Sequence, residues 1–87
     1  MEIRPKWTKE ELDAIFSKAT PIVAGTTAFR KDCYGNIISR AAYGLTNDPF
    51  GWEVDHIKPI AEGGSNELKN LQPLCIKANR SKSDDTP

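Results

Sequence analysis

The chain is poor in the residues that usually bind soft metals. It has one histidine, two cysteines and one methionine in 87 residues. Two thiols and one imidazole fall short of the four ligands that a structural zinc site takes. No apolar run approaches the roughly 20 residues needed to cross a bilayer, so no membrane contact is expected. The start, "MEIRPKWTKEE", lacks the apolar stretch of a signal peptide. A cytoplasmic location follows as the expectation, with Cys33 and Cys75 as reduced thiols. There is no excess of one charge: twelve basic residues balance twelve acidic ones, which argues against a disordered chain. Repeats and linkers are also missing. A chain of this length makes one domain, residues 1–87, and buries only about 60% of its unfolded surface.

What is present reads as mixed helix and strand. "PKWTKEELDAIFSKA" opens a helix over about residues 8–19. Thr8 and Glu11 form a capping-box pattern, Trp7 and Leu12 stand as a hydrophobic staple, and Pro21 ends the helix. "AFRKDCYGNIISRAAYG" reads as a hairpin over about 28–43, with Gly35 supplying the positive φ of a tight turn. "GLTNDPFG" is a loop, and "WEVDHI" follows as a strand. "KPIAEGGSNEL" is a long loop with a Gly-Gly turn. "NLQPL" is a short extended piece, and "CIKANRSKS" is a last helix begun just after Pro73.

The balanced charge is unevenly placed. Residues 30–43 carry Arg30, Lys31 and Arg40 against Asp32. Residues 48–67 carry Asp48, Glu53, Asp55, Glu62 and Glu67 against Lys58. Residues 69–82 carry Lys69, Lys77, Arg80 and Lys82 and no acid. A basic segment beside an acidic one fits a polyanion held near a cation, and it fits an ordinary solvated helix face as well. Arg30 and Arg40 are within reach of phosphate from the hairpin, or are simply exposed arginines. Trp52 is a core residue or a platform for a base.

The single histidine stands beside an aspartate in "WEVDHIKP". Strand alternation puts Trp52, Val54 and His56 on one face and Glu53, Asp55 and Ile57 on the other. Asp55 and His56 therefore serve one site only if the chain bends there, and Pro59 makes a bend reasonable. Asn70 and Asn79 follow at fourteen and twenty-three residues after His56.

Taken together, "GWEVDHIKPIAEGGSNELKNLQPLCIKANRSKSD", the core at 51–84, resembles the HNH nuclease motif, the ββα-metal finger. An acid-His pair, a proline, a Gly-Gly loop, an asparagine before Leu-x-x-Leu and a helical His or Asn ahead of a lysine occur in the family's order. The last motif position is Asn79 rather than histidine, an HNN variant. Many relatives also hold a structural zinc with two Cys-x-x-Cys pairs. "Cys33-Tyr-Gly-Asn36" and "Cys75-Ile-Lys-Ala78" resemble those pairs with one cysteine missing from each, so no structural zinc is expected.

The resemblance implies an α+β ββα-metal domain, with the N-terminal helix and the hairpin packed on the finger. It implies a divalent-metal-dependent DNA endonuclease leaving 5′-phosphate and 3′-hydroxyl ends. His56 is then the general base, a task suited to an imidazole because it titrates near neutrality. Asp55 and Asn79 are the metal ligands, offering oxygen to one hard cation, Mg²⁺ or Mn²⁺. Asn70 orients the histidine by bracing its loop. Lys77, Arg80, Lys82, Arg30 and Arg40 are the nucleic-acid-binding set. Double-stranded DNA is the expected partner and the expected form is a monomer, with a dimer left open. One site per small chain implies a nick in one strand per encounter. The rival readings are a catalytically idle nucleic-acid-binding finger, a zinc-ribbon relic, and an RNase or toxin nuclease of the same fold.

Overall fold

A computed structural model describes residues 6–23 and 28–84 of the chain, with side chains through Arg80. Helix α1 runs Lys9–Phe16 and opens on the capping box read from the sequence. Thr8 Oγ1 accepts from the Glu11 amide at 3.0 Å, and Glu11 Oε1 accepts from the Thr8 amide at 2.8 Å. The helix stops earlier than residue 19. Lys18 and Ala19 donate to carbonyls three residues back, at Ile15 and Phe16, so the last turn tightens and the chain leaves the helix. Thr20–Pro21 then forms a short strand, β1, which the sequence pattern had not marked.

Strand β1 pairs antiparallel with β2 (Phe29–Lys31), and β2 pairs antiparallel with β3 (Ile37–Ser39). Gly35, at φ 87°, makes the turn between β2 and β3. A 3₁₀ turn at Arg40–Ala42 follows. Strand β4 (Trp52–His56) pairs antiparallel with β5 (Leu71–Cys75), in the register Trp52↔Cys75, Asp55↔Gln72 and His56↔Leu71. Pro73 is tolerated within β5 because, among the described residues, this strand has β4 as its only paired neighbour. Helix α2 (Ile76–Asp84) continues directly from β5, three residues later than Pro73. The Cys75 and Ile76 amides explain the delay: they donate to Asp32 Oδ2 and to the Gly51 carbonyl.

The core sits between α1 and the β4–β5 pair. Ile15, Phe16, Ala19, Ile38, Trp52, Leu71 and Cys75 form one buried cluster. Trp52 is fully buried, with the Phe16 ring 5.3 Å and the Tyr43 ring 5.0 Å from its own. It is therefore a packing residue and leaves no face for a base. Burying such a side chain contributes on the order of 3 kcal/mol. Lys18, two residues past α1, donates to the carbonyls of Leu68 and Leu71, fixing the end of the helix to the loop that leads into β5.

Asp32 is buried and ties the β2–β3 turn to the start of α2. Its Oδ1 accepts from the Tyr34 and Asn36 amides at 3.0 and 2.8 Å, and its Oδ2 from Asn36 Nδ2 and the Cys75 amide at 3.3 and 3.0 Å. Asn36, Cys75 and Ala78 line one cavity with Asp32, of about 110 Å³. The two segments that resemble broken cysteine pairs thus converge on one place, where a carboxylate joins them. Cys75 is a buried free thiol.

Candidate active site

The β4 strand sets out the site by simple alternation. It stays regular and paired through His56, so no bend separates Asp55 from His56. The two side chains leave opposite faces of the strand. His56 lies on the face that carries Trp52, toward α1, with the Trp7 ring 6.4 Å from its imidazole. Glu53 and Asp55 lie on the other face, both half-buried. The expected bend does not occur at this step; the chain turns only after Ile57. Adjacent residues are nonetheless ~3.8 Å apart at Cα. Even so, the structure does not bring the two side chains together on one face of β4.

The loop after β4 folds back around Asn70. Asn70 Oδ1 accepts from the Lys58 amide at 2.8 Å, and its Nδ2 donates to the carbonyls of Lys58 and Ser65 at 3.0 and 2.8 Å. Its own carbonyl accepts from the Ile57 amide at 2.8 Å. The Gly-Gly turn is part of this closure. A Cβ at Gly64 would lie 1.8 Å from the Lys58 carbonyl oxygen, so only glycine fits there. Asn70 thus shapes the loop and does not touch the imidazole.

The contact to the imidazole comes from Asn66, which the sequence reading did not single out. Asn66 Oδ1 lies 2.7 Å from His56 Nε2. An amide oxygen only accepts, so in this contact Nε2 is the donor. Nothing in the local sequence marks Asn66: an asparagine in a Gly-Gly-Ser-Asn run looks like an ordinary turn former.

Asn79 is on α2, half-buried, and its Nδ2 donates to Glu53 Oε2 at 3.0 Å. Asp55 accepts from Gln72 Nε2 at 2.9 Å through Oδ2, from the residue directly across the β4–β5 pair. Asp55 and Asn79 therefore belong to the same face of β4, each held at one polar end by a neighbour. Glu53 and Gln72 were also missed. The i, i+2 spacing of Glu53 and Asp55 was a usable signal, whereas Gln72 needed the strand register.

Lys77 and Arg80 are exposed on α2, three residues apart and thus on one side of the helix. The Lys82 side chain lies outside the described residues. Arg30 and Arg40, expected to reach phosphate from the hairpin, both make contacts within the fold. Arg30 Nη1 donates to the Ala19 carbonyl at 2.9 Å and to that of Ser17 at 3.3 Å, closing the end of α1. Arg40 Nε donates to Asp13 Oδ1 at 2.6 Å, and its guanidinium stacks 5.9 Å over Trp52.

Among the described residues, no three His, Cys, Asp or Glu side chains cluster to hold a metal ion. The candidate donors are instead one carboxylate and one amide oxygen, Asp55 and Asn79. That pair fits a hard divalent ion that keeps most of its shell for water and phosphate, and does not fit zinc in a closed protein cage. No described helix is long and apolar enough to cross a membrane.

Comparison with known proteins agrees with the segment just described. No curated protein and no solved structure matches the chain. The family model of the HNH endonucleases matches residues 44–85, which include β4, the loop closed by Asn70, β5 and α2. Through this segment the chain, a mixed helix and sheet protein, is similar to the HNH endonuclease family.

Proposed function

We propose that the protein is a divalent-metal-dependent endonuclease acting on DNA, with residues 1–87 as a single domain and β4, β5 and α2 as its ββα-metal finger. The observation that carries this reading is the set Asp55, His56, Asn70 and Asn79 within the matched segment, with the imidazole held at Nε2 by Asn66. A catalytically idle copy has no need of all four.

The reaction is in-line displacement at phosphorus. His56 Nδ1 takes a proton from a water molecule, and the water oxygen forms a bond to phosphorus. The bond from phosphorus to the 3′-oxygen breaks, and that oxygen takes up a proton from solvent. The products are a 3′-hydroxyl and a 5′-phosphate. Asp55 and Asn79 would hold the divalent ion, which supplies neutralisation of the phosphate and of the leaving oxygen. Asn66 keeps the imidazole in the tautomer with Nδ1 unprotonated, and Asn70 keeps the loop that carries Asn66 closed on β4. Lys77, Arg80 and Lys82 hold backbone phosphates without reacting. One such site per chain cuts one strand per encounter.

The test is incubation of supercoiled plasmid, and separately of RNA, with Mg²⁺, Mn²⁺ or EDTA. Conversion of plasmid to the open circle with metal, and none in EDTA, is the expected result. Cleavage of RNA alone would assign the same chemistry to an RNase. Binding to DNA without cleavage under every metal would mark an idle finger and overturn the reading.

A further inference from the structure

We propose that Glu53 and Gln72 are positioning residues that aim the two oxygen donors, Asn79 and Asp55; this rests on the reading above. A carboxamide has two ends of similar shape and opposite use. Its terminal torsion is broad and roughly two-fold, so an untethered asparagine presents nitrogen as readily as oxygen. Only the oxygen can meet a hard cation. Glu53, ionised, is an acceptor only. Its Oε2 accepts from Asn79 Nδ2 at 3.0 Å, which turns Asn79 Oδ1 away from Glu53. The half-buried setting of both residues keeps water from competing freely for that bond.

Gln72 does the complementary task for Asp55. The two residues are directly opposite across the β4–β5 pair, and Gln72 Nε2 donates to Asp55 Oδ2 at 2.9 Å. The carboxylate is fixed through one oxygen and keeps the other for a ligand. The donor is neutral, so the negative charge of Asp55 is not cancelled, as it would be by lysine or arginine. Both supports stand on the β4–β5 pair with Asp55, and Asn79 reaches this pair from α2. Glu53 is two residues before Asp55, and Gln72 is across from it. Neither is flexible relative to the site, because the β4–β5 ladder fixes both backbones.

Supports of this kind typically change metal affinity by about 10–100-fold. The experiment measures Mn²⁺ binding by the electron paramagnetic resonance signal of free Mn²⁺. It uses the full chain carrying His56→Ala, with a duplex oligonucleotide bound, so that cleavage does not intervene. Glu53→Met and Gln72→Met, which keep the packing of the stems, are expected to weaken Mn²⁺ about 10-fold or more each. Glu53→Gln keeps an acceptor for Asn79 Nδ2 beside a donor end and is expected to lose less Mn²⁺ affinity than Glu53→Met. Thermal midpoints within a few degrees of the parent keep the comparison on folded protein; should Glu53→Met fail that check, Glu53→Gln and Gln72→Met still decide. Unchanged Mn²⁺ affinity in Glu53→Met or Gln72→Met overturns the proposal. So does a Glu53→Gln loss as large as that of Glu53→Met, which would make the charge of Glu53 itself the ligand. Asp55→Ala separates the two levels of argument. If it leaves Mn²⁺ binding intact, the assignment of the metal site falls. If it removes binding while the other variants do not, only the positioning role falls.

Discussion

At the scale of the residue, the imidazole is the point where the chemistry is most exposed to test. His56 is the only titratable base in the matched segment with both a fixed ring nitrogen and a free one. His56→Ala is expected to lower the cleavage rate by about 10²–10⁴, the usual cost of losing a general base, while DNA affinity holds. A variant that nicks plasmid within threefold of the parent would assign the base elsewhere. Asn66→Ala removes the partner of Nε2 and frees the ring to adopt the other tautomer. Its expected effect is about a tenfold loss in kcat with KM little changed, together with a shift in the imidazole nitrogen resonances toward a tautomer mixture. Asn66→Leu changes resonance positions in the same sense, whereas a merely structural role would leave them still. His56, Asp55 and Asn79 could be proposed from the sequence because their order is a pattern. Asn66 could not, since the fold of a loop decides which of two nearby asparagines meets a ring ten residues or fourteen away. The loop gives Asn70 to backbone and Asn66 to the imidazole.

At the scale of the element, helix α1 shows how far local signals reach. The Thr8–Glu11 box fixed its start to the residue, because both partners lie within one turn. Its end was overrun by three residues, because the tightened turn at Lys18 and Ala19 is held by Arg30 from a strand eleven to thirteen positions on. The β1 strand was invisible for a related reason: two residues carry no period, and only pairing with β2 makes them a strand. Asp32 is the clearest case of a long-range device. It gathers four hydrogen bonds from the hairpin turn and from the start of α2, forty-three residues away in the case of Cys75. Asp32→Ala would strand buried backbone amides, each costing about 1–3 kcal/mol. Even a total near 3 kcal/mol lowers the midpoint by about 12–24 °C in a domain of this size. A thermal melt checks it; a fall of less than about 3 °C would mean that the turn and α2 are held together by other contacts.

At the scale of the whole molecule, balanced net charge conceals a division of labour. The acidic face of β4 lies beside α2, where Lys77 and Arg80 stand exposed and unopposed by acid in residues 69–82. Lys77→Ala and Arg80→Ala are expected to weaken binding to all DNA sequences alike and to lower the salt slope of binding by about one unit each. A change in sequence preference at constant slope would contradict a phosphate role.

The same molecule-wide view separates the ion from the fold. In a zinc-stapled relative, metal binding energy is folding energy, and chelation unfolds the protein. Here the two segments that resemble cysteine pairs meet at the Asp32 carboxylate, and Trp52, Phe16 and Ile15 supply the core. The candidate ion site, by contrast, offers only Asp55 and Asn79, too few ligands to hold an ion tightly or to choose sharply among Mg²⁺, Mn²⁺ and similar ions. Two expectations follow from one sample. EDTA should abolish plasmid nicking and leave the thermal midpoint within about 2 °C. Mn²⁺, which tolerates imperfect geometry, should restore nicking at least as well as Mg²⁺. A large fall of the midpoint in EDTA would place a metal within the fold and displace Asp32 from its bridging role. Full nicking in EDTA would remove the ion from the mechanism, and with it the work given to Asp55, Asn79 and the two residues that aim them.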